Sequence, residues 1–193
     1  MSAGAGGDRV VLLLSGPVAV GKSSVATELV AAFDFERVRS GAFLQRRAVE
    51  LHRASDRAGL QALGDELDEA TDYRWLVDEV ALPTLRERAD QQRWLIDAVR
   101  KQQQVEHFRR AISGSVFHVH LDASECTLRA RFESRMLAGE EYLGATPYDM
   151  AIQHPNEVAS RGLRDVADAI VFVEGKTAAE VAAEIAGVLT TPG

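Results

Sequence analysis

Cysteine is nearly missing from the 193-residue chain, where Cys126 stands alone. That excludes an intrachain disulfide and a cysteine-based zinc site. No apolar run approaches the ~20 residues that a membrane-spanning helix needs. Basic residues are outnumbered, 22 Lys and Arg against 29 Asp and Glu, for a net charge of −7. This argues against a protein that grips nucleic acid with a broad basic face, and leaves room for a local basic pocket. Internal repeats and low-complexity linkers are absent as well. Met1 to Asp8 is small and glycine-rich, without a charged start or apolar centre, and reads as a frayed tail rather than a signal peptide. A cytoplasmic protein with no membrane partner is expected. The bulk composition is ordinary, 46% hydrophobic and 26% charged. It suits one domain over residues 1–193 with a sizeable core.

One stretch is specific. Gly16-Pro17-Val18-Ala19-Val20-Gly21-Lys22-Ser23 fits G-x-x-x-x-G-K-[ST], a phosphate-binding loop. Val10 to Leu14 before it is a continuous apolar run, as in a buried parallel strand. Ser24 to Phe33 after it has apolar residues at helical spacing. Gly16 and Gly21 permit backbone angles closed to other residues. The loop N–H groups, those of Val18, Ala19 and Val20 included, then form an anion nest, to which the helix start at Lys22, Ser23 and Ser24 adds its dipole. Lys22 is suited to the β- and γ-phosphates and the Ser23 hydroxyl to Mg²⁺.

The rest alternates strand and helix. Strands are expected at Arg9–Leu14, Arg37–Arg39, Arg93–Asp97, Ser115–Leu121 and Ala169–Val173, hence a parallel α/β sheet. Helices are expected at Gly41–Arg53, Asp56–Ala70 and Tyr73–Arg88, the last kinked or restarted at Pro83. This makes residues 40–90 a helical insertion suited to covering an acceptor. Further helices are expected at Ser124–Leu137, at Pro147–Arg161 with a break at Pro155, and at Thr177–Leu189. Residues 136–148, with Gly139 and Gly144, read as a lid loop.

Several side chains suit phosphate chemistry. Asp97 ends an apolar strand and fits a Walker-B-like carboxylate near a metal or its waters. Arg100 follows at the sheet edge where open α/β folds bind ligands. Arg131 and Arg135 share a helix face before the lid, and Arg161 and Arg164 follow it, as in a lid that closes over polyphosphate. Arg39, Ser40, Gly41, Arg46 and Arg47 cluster after the second strand and could hold an anionic acceptor. His118 and His120 share a strand face; lacking a third ligand, they suit packing better than a metal. Trp75 and Trp94 read as packing, Cys126 as a small core residue, and Asp65, Glu66, Asp68, Glu69 and Asp72 as a solvated face.

In their order, these segments resemble the nucleoside-monophosphate kinase branch of the phosphate-loop kinases, dephospho-coenzyme A kinases and phage-type deoxynucleoside-monophosphate kinases being the nearest flavour. The resemblance runs from Val10 to about Ile185. It rests on Gly16–Ser23, on Ser40-Gly41-Ala42-Phe43-Leu44-Gln45-Arg46, and on Ile96-Asp97-Ala98-Val99-Arg100. Val119–Ala123 with Arg131 and Arg135, and Asn156–Val171 with the Glu174-Gly175-Lys176-Thr177 loop, complete it. It implies a three-layer phosphate-loop sandwich with a five-stranded parallel sheet in the order 2-3-1-4-5. It also implies ATP and Mg²⁺ as cofactors and γ-phosphoryl transfer to a nucleoside monophosphate. Ser40, Gly41, Leu44, Arg46 and Arg100 would bind the acceptor, and Gly175 and Lys176 would lie against the ATP base. The alternatives are a kinase for a hydroxyl acceptor, for which Asp97 could serve as base, and a nucleotide-binding regulator. A monomer or homodimer fits either.

Overall fold

The computed structural model describes residues 9–112, 115–138 and 146–190. The apolar runs form five strands, β1 (Val10–Ser15), β2 (Glu36–Arg37), β3 (Arg93–Ile96), β4 (Ser115–Asp122) and β5 (Ala169–Phe172). All neighbours are parallel, in the expected order β2-β3-β1-β4-β5. Central β1 explains the run without polar alternation: both faces are covered, so every residue from Val11 to Leu14 is fully buried. Each such side chain contributes roughly 1.5–3 kcal/mol by leaving water.

The sheet has a core on each face. Leu12, Leu14, Leu95, Val119 and Leu121 pack against α1 (Lys22–Ala32) and α9 (Ala178–Thr190). On the opposite face Val11, Leu13, Trp94 and Ile96 meet Leu76, Val80, Leu85, Val105 and Phe108. Helices thus cover both sides, and the architecture is the three-layer α/β sandwich. Trp75 and Trp94 are packing residues, as expected.

Between β2 and β3 run α2 (Ser40–Glu50), α3 (Arg57–Ala70), a π-helical segment Leu76–Ala81 and α4 (Leu82–Glu87). Asp56 caps α3 by accepting from Gly59 N–H at 2.8 Å. The third helix begins later than Tyr73, because Asp72 and Tyr73 have φ of +49° and +63°, the left-handed region that ends a helix. Pro83 falls in the first turn of α4 and is accommodated by the wide π turn before it. The π segment and α4 supply buried side chains to the core around Trp94, and Phe43 and Leu44 of α2 and Leu67 of α3 pack against it.

α5 (Gln102–Ala111) lies between β3 and β4, where the sequence reading placed no helix. Ser124 caps α6 (Glu125–Leu137) and Pro155 opens α8 (Pro155–Gly162) after the short α7 (Tyr148–Ala151). A 3₁₀ turn, Leu163–Val166, leads into β5. Of the expected lid, residues 139–145, with Gly139 and Gly144, lie outside the described residues. None of the described helices is long and apolar enough to cross a membrane.

Candidate active site

The loop between β1 and α1 has the geometry its sequence demands. Gly16 has φ +152°, and a Cβ there would lie 2.7 Å from Leu121 O, so glycine is required twice over. Gly21, at φ +99°, precedes the first residue of α1. Ala19 is held at φ +64°. Val20 N–H bonds back to Pro17 O at 3.3 Å, but among the described residues the N–H groups of Ala19, Gly21, Lys22 and Ser23 have no partner. Unpaired main-chain donors at the start of a helix form an anion site.

Lys22 makes no hydrogen bond or ion pair among the described residues. Burial pushes its ammonium down to about 8; Arg100 and Arg37 push the same way, while Asp97 and Glu157 oppose them. A desolvated, unpaired lysine among both signs of charge is primed for an anion that restores its proton affinity. Ser23 is exposed, and its hydroxyl also has no partner among the described residues. Donor set and helix start together fit a polyphosphate. For Mg²⁺, Ser23 is the available protein ligand. Asp97 lies near Lys22, but both its oxygens accept from Arg37, Oδ1 at 3.0 Å from Nε and Oδ2 from Nη2. Among the described residues no group of three or more His, Cys, Asp or Glu could hold a metal, so a cation here would come with phosphate oxygens and water.

A cleft of about 510 Å³ opens beside the loop, lined among others by Val20, Gly21, Ser24, Arg131, Arg135 and Lys176. Arg131 Nη1 donates to Val20 O at 3.0 Å. Lys176 pairs with Glu184 at 2.5 Å. Gly175, at φ +70°, belongs to the same turn but not to the lining. Glu174 accepts from Ser124 N–H and is tied to the start of α6.

The acceptor candidates are less concentrated. Arg100 is exposed and, like Arg39, has no side-chain partner among the described residues; its main-chain N–H is fixed by Gln104 Oε1 at 2.8 Å. Leu44 packs beside the core. Arg46 lies over the Phe43 ring, 5.5 Å from its centroid, and 3.9 Å from Glu50, turned along α2. Ser40 and Gly41 form the first turn of α2, with open space beside Gly41.

Other residues depart from expectation. Arg161 is taken up by Glu125 and Glu157 at 2.9 Å each and by the Tyr148 hydroxyl at 3.1 Å; burial works to lower its pKa, but these acceptors outweigh it and raise the value. Arg164 pairs with Asp122 at 3.2 Å. Cys126 is exposed rather than in the core, because it sits on the outer side of the first turn of α6. Asp68 is not on a solvated face: it is buried and accepts from Trp75 Nε1 at 2.8 Å and Gln104 Nε2 at 2.9 Å. His118 and His120 are buried and share Ser15 Oγ, at 2.7 Å and 2.9 Å. Burial lowers both pKa values to about 4, so the pair is a neutral packing network beside Ser15, in line with the packing expected of it. Three site residues escaped the sequence reading: Arg37, Glu157 and Ser15. Arg37 opened an expected strand and Ser15 preceded the motif, which were faint signals; Glu157 had none beyond its place in a segment of the resemblance.

Fold and loop together define a phosphate-loop α/β protein. A family model described as an AAA domain matches residues 11–147, and the chain belongs to that family. No curated protein matches it in sequence. Among solved structures, a gluconokinase from Sinorhizobium meliloti 1021 is 19% identical with a TM-score of 0.51, covering 93% of this chain and 94% of its own. A candidate kinase from Chloroflexus aurantiacus j-10-fl is 14% identical with a TM-score of 0.54, covering 93% and 97%. A sugar kinase from Janibacter sp. HTCC2649 is 14% identical with a TM-score of 0.48, covering 95% of each chain. At these identities the likeness is one of fold.

Proposed function

We propose that this chain is an ATP-dependent phosphotransferase that moves the γ-phosphoryl group to a small anionic acceptor. The observation that carries this is the loop: four N–H groups without a partner among the described residues share it with Lys22, whose side chain is desolvated and likewise has no hydrogen bond or ion pair among them. The loop and Lys22 bind and orient the polyphosphate. Ser23 would hold Mg²⁺, which when bound neutralises charge on the transferred group. Arg131 and Arg135 line the cleft on the nucleotide side, and Arg100 with Arg39 offers guanidinium groups to the acceptor.

The order of motifs favours a nucleoside monophosphate as acceptor, with Ser40, Gly41, Leu44, Arg46 and Arg100 around it. Its phosphate is already nucleophilic and needs no strong base. A hydroxyl acceptor is the second reading. The carboxylate of Asp97 within electrostatic reach of Lys22 favours it, since a hydroxyl needs a base; the likeness to a gluconokinase is compatible. Incubation with Mg–ATP and separate panels of nucleoside monophosphates, sugar acids and nucleosides tests both. Phosphorylated product in one panel is expected. Slow ATP hydrolysis that no acceptor changes would replace this reading with a nucleotide-dependent regulator.

A further inference from the structure

Helix α8 is attached to the phosphate loop at two points. Ser160 donates its hydroxyl to Gly16 O at 3.2 Å, a buried strap. Val18 N–H donates to Glu157 Oε1 at 2.9 Å. The second bond is chemically different, because a carboxylate takes a main-chain donor from a loop whose other donors suit phosphate oxygen. The same Oε1 accepts from Arg161 Nε at 2.9 Å. Arg161 is itself braced by Glu125 of α6 and Tyr148 of α7. Glu157 therefore has a fixed cation beside it, on the same oxygen that takes Val18 N–H. Its charge also reaches Lys22, where it opposes the loss of the proton. The carboxylate thus shares surroundings with the ammonium.

We propose that Glu157 competes with the terminal phosphate of a bound nucleotide for Val18 N–H and Lys22, and so sets the loop's preference between tri- and diphosphate. This rests on the loop binding nucleotide as proposed above. A third phosphate adds negative charge to the ligand in the loop, so a carboxylate at Val18 opposes a triphosphate more than a diphosphate. Arg161 limits the penalty by neutralising the carboxylate, and is the group onto which it retracts.

Calorimetric titration with the Mg²⁺ complexes of ADP and the β,γ-imido analogue of ATP tests this on wild type and Glu157→Gln. The amide oxygen of Gln still accepts from Val18 N–H, so a role confined to holding the loop leaves the affinity ratio unchanged. Loss of the charge is expected to shift the ratio towards the triphosphate by about five- to tenfold, with ADP altered by at most about twofold. Ser160→Ala removes the neutral strap, and is expected to lower Tm while leaving the ratio in place. Should Glu157→Gln fail to fold, Glu157→Asp draws the carboxylate back from Val18 and carries the same prediction at smaller size. A ratio that is unchanged, or shifted towards ADP, overturns the proposal while the nucleotide site stands. Wild-type protein that binds neither nucleotide removes the underlying site.

Discussion

The two sides of the proposed site, one for nucleotide and one for acceptor, are built in different ways. On the nucleotide side the donors are main-chain N–H groups within eight consecutive residues, shaped by Gly16 and Gly21. That loop is tied down from outside by Ser160, Glu157 and Arg131. On the acceptor side the groups are side chains from the ends of β2 and β3 and from α2, and several are already engaged. Arg37 holds Asp97, and Arg46 lies along its own helix. Of the arginines at the ends of β2 and β3 and on α2, only Arg39 and Arg100 lack a side-chain partner among the described residues. A backbone site admits little variation, whereas a side-chain site can be altered one guanidinium at a time. On the proposed reading the phosphate loop would fix the donor chemistry, and the residues around Arg100 would set the acceptor.

If the two sides are separable in this way, their variants fail differently. Lys22→Ala is expected to reduce phosphoryl transfer by roughly 10²–10⁴ with Tm nearly unchanged, since it removes charge stabilisation and no core contact. Retained turnover would break the nucleotide side of the comparison.

Acid should come next in size, because it attacks the network beside Ser15. His118 and His120 have folded pKa values of about 4, below their ordinary value of 6.5. Above pH 6.5 neither state binds these protons and stability is flat. Between about 6.5 and 4 the unfolded chain takes up protons that the fold refuses. Each group then removes about 1.4 kcal/mol per pH unit. Denaturant melts from pH 7 to 4.5 should show this slope, and His120→Gln should reduce it. An equal slope in the variant would mean that His120 is not held neutral.

Arg100→Ala is expected to raise the acceptor KM by about ten- to thirtyfold and leave nucleotide Kd within about twofold. Equal losses on both sides would mean that the sites are not separate. The smallest effect concerns pH and nucleotide binding. Lys22 is ammonium below about pH 8, and bound phosphate raises its pKa. Affinity for Mg–ADP should be flat up to pH 8 and then fall, by no more than tenfold per pH unit. An affinity independent of pH from 7 to 9.5 would show that Lys22 does not touch the phosphates.

The same contrast decides what could be read without coordinates. The β1 run, the loop and α1 are contiguous, so local pattern and glycine chemistry were enough; the βα alternation gave a parallel sheet, and its strand order came with the resemblance to the phosphate-loop kinases. Features made by distant segments were not visible. Glu157 meets Val18 across 139 residues, and no local pattern announces that contact. Asp68 sat in an acidic run and read as solvated, yet Trp75 and Gln104 bury it with both hydrogen bonds satisfied. The polar start of α5, Gln102-Gln103-Gln104, hid a helix whose Val105 and Phe108 reach the core. Arg161 looked like a free lid arginine because its partners Glu125 and Tyr148 come from other helices.

The loop amides offer the most direct measurement. In ¹⁵N-labelled protein titrated with Mg–ADP, the N–H resonances of Ala19, Gly21, Lys22 and Ser23 should shift together and saturate, while those of α3 stay in place. Saturable binding that moves α3 and leaves these four unchanged would contradict the account.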